Sequence, residues 1–143
     1  MGLFGRKKKI FDYEIGYKLL DENKFQEALE YFQLLPIEEW TEENMMSILG
    51  TANALMGLKQ FAKARDAYGV VWFFKVIQKS KELKVKILGA ISNTYLDEKN
   101  FKLTLEYANH MLVYEPNNAA ATMLKEQSLH MLKIEKLCDD PES

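Results

Sequence analysis

The chain has 143 residues, of which 48% are hydrophobic and 28% charged, as expected for one ordinary globular domain. No apolar run approaches the ~18 residues that a membrane-spanning helix needs, and we expect no secretory signal, since no apolar stretch follows the basic start. The net charge of −2 divides unevenly, because four basic residues lie at Arg6, Lys7, Lys8 and Lys9. The remainder holds 15 basic and 21 acidic residues, which argues against a nucleic-acid surface.

Apolar residues recur at helical spacing along the chain, whereas glycine and proline are scarce, at seven and three. We therefore predict an all-α protein of seven helices, with Thr41, Ser80 and Asn118 as N-caps of the third, fifth and seventh. The predicted helices span about 10–22, 25–35, 42–57, 60–78, 81–97, 101–113 and 119–137. Residues 138–143 are predicted to form a frayed tail.

A segment of the chain repeats. The run Asp21-Glu22-Asn23-Lys24-Phe25 returns as Asp97-Glu98-Lys99-Asn100-Phe101, and a weaker copy, Lys59-Gln60-Phe61, lies between them. The three phenylalanines are 36 and 40 residues apart. A period of this size with helical patterning is typical of stacked helical hairpins, none of which buries its apolar face alone.

The residue pattern of each hairpin resembles the tetratricopeptide repeat, whose helices carry W-x-x-L-G-x-x-Y and A-x-x-x-F…P. The matching residues are Ile15-Gly16-x-x-Leu19 with Ala28-x-x-x-Phe32; Ile48, Ala52 and Leu55 with Ala64-x-x-x-Tyr68; and Leu88-x-x-Ile91-Ser92-x-x-Tyr95 with Thr104-x-x-x-Ala108 and Pro116. The resemblance implies one domain over 10–137, an α-α superhelix of three hairpins (about 9–40, 45–80 and 85–118) closed by a capping helix at 119–137. Residues 1–9 would form a basic, flexible N-terminus.

The same resemblance implies a non-catalytic interaction module that binds a protein or peptide segment in a concave groove. The groove positions of the first helices fall on Tyr13, Tyr17, Met46, Leu49, Asn53, Met56, Lys86, Asn93, Leu96 and Asp97. Asn53 and Asn93 occupy equivalent places, and their amides could clamp a peptide backbone from both its donor and acceptor sides. With Lys86 as the only basic residue, this groove does not suit a partner's C-terminal carboxylates.

A second hypothesis concerns the apolar run Val70–Ile77. Gly69, Phe73 and Val76 form a stripe that the repeat pattern does not bury. Exposed, such an aromatic stripe would mark a contact surface for a homodimer or for an inhibitory, immunity-type activity. Coverage by the fifth helix is the alternative.

Other functions have less support in the sequence. Arg6, Lys7, Lys8 and Lys9 could attract anionic lipid, which leaves a peripheral membrane role as a remote alternative. We predict no enzyme, no cofactor and no metal, because His110, His130 and Cys138 follow no catalytic or ligand spacing. The single cysteine fits a reducing compartment, so a cytoplasmic location is expected.

Overall fold

The computed structural model describes residues 12–34 and 41–139. Within these ranges every regular element is a helix, which confirms the all-α class. The eight helices are α1 (Tyr13–Asp21), α2 (Phe25–Gln33), α3 (Glu42–Gly57), α4 (Phe61–Trp72), α5 (Lys75–Gln78), α6 (Lys81–Asp97), α7 (Phe101–Tyr114) and α8 (Ala119–Asp139). The predicted basic N-terminus, with Arg6, Lys7, Lys8 and Lys9, lies outside the described residues.

Short polar side chains define where five of the described helices begin, among them α7, whose N-cap Asn100 accepts from the backbone N–H of Leu103 at 3.2 Å. Thr41 and Ser80 accept hydrogen bonds from the backbone N–H groups three residues further on, at 3.2 and 3.1 Å. Asn118 does the same for α8 at 2.8 Å, and Asp12 caps α1. The three predicted N-caps are confirmed, and each satisfies a backbone donor that the first helical turn would leave unpaired.

The helix-to-helix turns of the three hairpins share one backbone geometry. Asn23, Lys59 and Lys99 all have positive φ, at 60°, 62° and 63°. In each turn the next residue donates its N–H to the carbonyl five positions back, at 2.8–2.9 Å. This is the Schellman ending, which satisfies orphan carbonyls and usually employs glycine. The repeated sequence segment is therefore the segment that reverses the chain.

Relieving the left-handed backbone strain at these turns should stabilise the protein. Lys59→Gly and Lys99→Gly should each raise the free energy of unfolding by about 0.5–1 kcal/mol, because the strain of a side chain at positive φ outweighs glycine's greater unfolded-state entropy. Lys79, with φ −89°, is the matched control. Chemical denaturation should show Lys79→Gly neutral or destabilising; a loss of stability in Lys59→Gly would contradict the argument.

The fourth helix is shorter than predicted, which makes eight helices in place of seven. It ends at Trp72, and after the extended backbone of Phe74 the chain forms the single turn α5. The bend buries Phe74 and Ile77, and α5 packs against α6. The extra residues of this hairpin therefore fold back on the core and do not lengthen α4. At the C-terminal end of the described residues, α8 continues through Cys138 to Asp139. These two residues were predicted to belong to a frayed tail, but they are helical.

Each helix packs against the next along the chain, and α1 also contacts α3, α4 contacts α6, and α6 contacts α8. One core cluster joins α1 to α6 and a second joins α6 to α8, with Trp72 and Tyr107 packed against both. The small residues of the repeat pattern are all buried: Gly16, Ala28, Ala52, Ala64 and Ser92. Their size lets the helix backbones approach closely.

Candidate functional site

Tyr17, a predicted groove residue, is part of the contact between α1 and α3. Its hydroxyl donates to the backbone carbonyl of Met46 at 2.7 Å, and its ring meets Phe32 edge-on at 5.4 Å between centroids. Burial raises the pKa of the phenol above its ordinary value. The hydroxyl and the ring of this predicted groove residue therefore both have partners within the fold.

The two predicted asparagine clamps stand in different surroundings. The amide oxygen of Asn53 accepts a hydrogen bond from the Tyr68 hydroxyl at 2.6 Å, so it is already used within the hairpin of α3 and α4. Burial raises the pKa of Tyr68 to about 12, so this donor stays protonated well above neutral pH. Asn93 is exposed on α6. The equivalence of the two positions in the repeat does not extend to their hydrogen bonding.

The remaining predicted groove residues divide by burial. Lys86 is exposed and pairs with Glu82 one turn earlier on α6 at 3.4 Å, and Asp97 is exposed at the end of the same helix. The others are half-buried and pack against the two core clusters: Tyr13, Met46, Leu49, Met56 and Leu96. Most of the predicted groove thus contributes to the packing of the helices.

An open cleft of about 410 Å³ lies between α4, α6 and α7. It is lined mainly by aromatic and aliphatic side chains from these three helices: Gly69, Trp72, Phe73, Leu88, Ile91, Tyr95, Leu103, Glu106, Tyr107 and His110. Gly69 and Phe73 of the predicted self-association surface therefore form part of its wall. The volume falls in the range of about 300–1,000 Å³ that is typical of binding pockets.

Gly69 differs from the buried glycines in what surrounds it. A Cβ added at Gly16 or Gly50 would collide with the ring of Phe32, and one at Gly57 with that of Phe25. Among the residues that the structure describes, a Cβ added at Gly69 would meet nothing within 4 Å. Glycine inside a helix costs about 1 kcal/mol relative to alanine, and no close packing within residues 12–34 and 41–139 explains it here. Its effect is to keep the cleft open down to the backbone of α4.

Aromatic rings in and around the cleft are ordered by contacts with one another. Tyr95 and Tyr107 stack with their ring centroids 5.6 Å apart and an interplanar angle of 28°. The guanidinium of Arg65 lies 4.1 Å from the centre of the Tyr95 ring. Trp72 packs beside the imidazole of His110, with 6.2 Å between the two ring centroids. Burial raises the pKa of Tyr107, with a further contribution from the charge of Tyr95. The wall of the cleft is therefore largely preformed.

Glu106 supplies the negative charge at the cleft. Its side chain is exposed on α7, and among residues 12–34 and 41–139 its carboxylate makes no ion pair. The nearby cation, Arg65, is paired with Glu98 at 2.6 Å. The charge of Glu106 also helps to raise the pKa of Tyr107. An unpaired carboxylate beside exposed aromatic rings is suited to a cationic group.

The predicted self-association stripe remains largely uncovered in the part of the chain that the structure describes. Phe73 is 70% exposed and Val76 41% exposed. Phe73 lies between the aromatic cleft and a second cleft of about 320 Å³, which Val76 lines together with Glu42, Phe74 and Lys75. Coverage of this stripe by the following helix, the alternative considered from the sequence, does not occur.

Sequence reasoning missed the α6 and α7 side of the cleft. One available signal was the repeated triplet Leu29-Glu30-Tyr31, which returns as Leu105-Glu106-Tyr107. In the first hairpin Tyr31 is used internally, since its hydroxyl donates to the backbone carbonyl of Asp12 at 2.9 Å. In the third hairpin the equivalent tyrosine lines an open surface.

No group of three or more metal-ligating side chains lies together within the described ranges. None of the helices there is both long and apolar enough to cross a membrane. No protein-family model and no curated protein matches the chain.

Proposed function

We propose that the chain is a non-catalytic protein-interaction module of the tetratricopeptide type, located in the cytoplasm. It binds a segment of a partner protein in the cleft between α4, α6 and α7. The observation that carries this proposal is the glycine at the base of the cleft, where an added side chain would meet open space. Glycine here costs the helix about 1 kcal/mol relative to alanine, and it leaves room for a ligand.

The surface of the cleft supports the same function. Rigid aromatic side chains provide a large contact area with little loss of conformational entropy on binding, and they are enriched at binding hot spots. Trp72 and Tyr107 are held by packing against both core clusters, so the partner would meet an ordered wall. The predicted groove offers fewer free groups, because the polar atoms of Tyr17 and the amide oxygen of Asn53 are bonded within the chain.

Filling the cleft should abolish partner binding without harming the fold. In Gly69→Leu the new side chain would occupy open space, and leucine favours the helix over glycine, so thermal stability should be kept or raised. Affinity capture from the source cell with quantitative mass spectrometry should show at least one protein that wild type retains and Gly69→Leu loses.

The matched control is Ala62→Leu, which adds the same side chain at an exposed position of the same helix. It should capture the same proteins as wild type. Identical captured proteins for wild type, Ala62→Leu and a folded Gly69→Leu would remove the cleft as the binding site.

The exposure of Phe73 favours a second candidate, self-association through Phe73 and Val76. Large exposed aromatic residues on an apolar stripe are typical of contact surfaces. If the protein is a dimer, Phe73→Glu should shift it to monomer in sedimentation equilibrium by placing a charge in the interface. Val113→Glu, an equally exposed apolar position on α7, should leave the dimer intact. A dimer that survives Phe73→Glu, or a wild type that stays monomeric, contradicts this candidate.

A further inference from the structure

The chemistry of the cleft narrows the class of partner, and this step rests on the proposed function. We infer that the cleft receives a basic side chain, lysine or arginine, carried on an otherwise apolar segment of another protein. Glu106 pairs with the cationic group, and the aromatic wall covers the aliphatic stem. The observations behind this are the charge balance of the cleft, the exposure of its rings and the lack of an ion pair to Glu106 among the described residues.

The charge balance favours a cation. Of the residues lining the cleft, Glu106 alone carries a full charge at neutral pH when histidine is neutral. Arg65, the one arginine among the described residues, lies over the Tyr95 ring, where it bonds to Glu98 at 2.6 and 3.4 Å and to Thr94 at 3.0 Å. It is therefore committed to joining α4 to α6 and does not neutralise Glu106. A partner's acidic residue at this place would be repelled.

The aromatic rings favour the same chemistry. Rings of α6 and α7 already attract cations of the chain itself, with Arg65 over Tyr95 at 4.1 Å and Lys84 over Tyr114 at 5.0 Å. Tyr95 is engaged by Arg65 and Tyr107, whereas Phe73 is 70% exposed and its ring is open to a ligand. A cation near the face of such a ring is attracted by its quadrupole, and the methylene stem of lysine or arginine packs on the apolar wall.

The open space at Gly69 leaves room for a long side chain in the cleft. With no side chain at Gly69, the space reaches the backbone of α4, while Glu106 lies across it on α7. Apolar neighbours on the partner segment would pack against Leu103 and Ile91, which also line the cleft. This arrangement recognises a basic residue flanked by aliphatic ones more readily than a run of charges.

The test uses two synthetic peptides that differ in charge and match in shape. One is acetyl-Gly-Leu-Arg-Leu-Gly-amide, and the other carries citrulline, a neutral analogue of arginine, in the middle. Each is titrated into the full chain at about pH 8, where an ordinary imidazole is uncharged, and low salt. Backbone and indole N–H chemical shifts of Gly69 and Trp72 report binding in the cleft.

We expect the arginine peptide to bind about three- to tenfold more tightly than the citrulline peptide, the effect of one partly exposed charge pair with an aromatic neighbour. Glu106→Gln should bring the arginine peptide down to the citrulline level. Glu126→Gln, which removes an exposed carboxylate on α8, should not change the ratio. Gly69→Leu should remove the shifts caused by both peptides.

Three results would overturn the inference. If the two peptides bind with equal affinity and Gly69→Leu abolishes the binding of both, the cleft does not select a basic residue but remains a protein-binding site. If about 10 mM peptide changes no chemical shift of Gly69 or Trp72, the cleft does not recognise a basic residue. A dimer in sedimentation that binds neither peptide indicates that a second copy fills the cleft. The proposed function itself is contradicted only if a folded Gly69→Leu captures every protein that the wild type captures.

Discussion

The substitution Phe32→Ala should lower the free energy of unfolding by about 3–5 kcal/mol, a large part of the total for a domain of this size. The ring is 1% exposed and lies against Gly16 of α1 and Gly50 of α3, with Tyr17 packed on its edge. Truncation leaves a cavity bordered by glycines, which have no side chains to move into it. Denaturation followed by circular dichroism measures the loss.

The two glycines provide the matched test of this arrangement. Gly50→Ala should destabilise by about 1–3 kcal/mol although alanine favours the helix, because its Cβ would collide with the Phe32 ring. In a Phe32→Leu background the same change should be less harmful, since the shorter side chain leaves space. Gly69→Ala is the control and should stabilise by about 0.5–1 kcal/mol. Equal effects at Gly50 and Gly69 would show that the ring is not where the structure places it.

Arg65→Ala should destabilise the protein by about 2–3 kcal/mol, the second largest effect expected. The guanidinium bonds to Thr94 and Glu98 and lies over Tyr95, so one side chain on α4 makes three kinds of contact with α6. Its side chain is only 18% exposed, which reduces solvent screening. Arg65→Lys should recover less than half of the loss, because an ammonium lacks the planar fork that contacts two partners and stacks on a ring.

A double-mutant cycle with Glu98→Gln isolates the ion pair within this contact. We expect a coupling of about 1 kcal/mol, with the remainder assigned to the ring and to Thr94. Lys63→Ala, an exposed cation on the same helix, should change stability by less than about 0.5 kcal/mol. A coupling indistinguishable from zero would mean that Glu98 does not hold Arg65 in solution.

Helix positions and N-caps could be predicted from the sequence because they depend on interactions within a few residues. Thr41, Ser80 and Asn118 each bond to an N–H three residues further on, a contact that local spacing determines. The break between α4 and α5 was missed, because the burial of Phe74 and Ile77 against α6 decides it. A continuous apolar segment without glycine or proline does not reveal where a distant surface will bend the chain.

The sequence by itself determined the helical class, the caps and the repeating hairpins, since periodicity and short-range spacing encode all three. The tertiary structure alone decided that Tyr17 is a packing residue and that Asn53 is bonded to Tyr68. The geometry of the cleft between α4, α6 and α7 also depends on the tertiary structure. Trp72, Tyr95 and Glu106 come from three different helices, and their distances depend on how α4, α6 and α7 cross. Such crossings are set by side-chain packing between segments far apart in the chain, which no local pattern records.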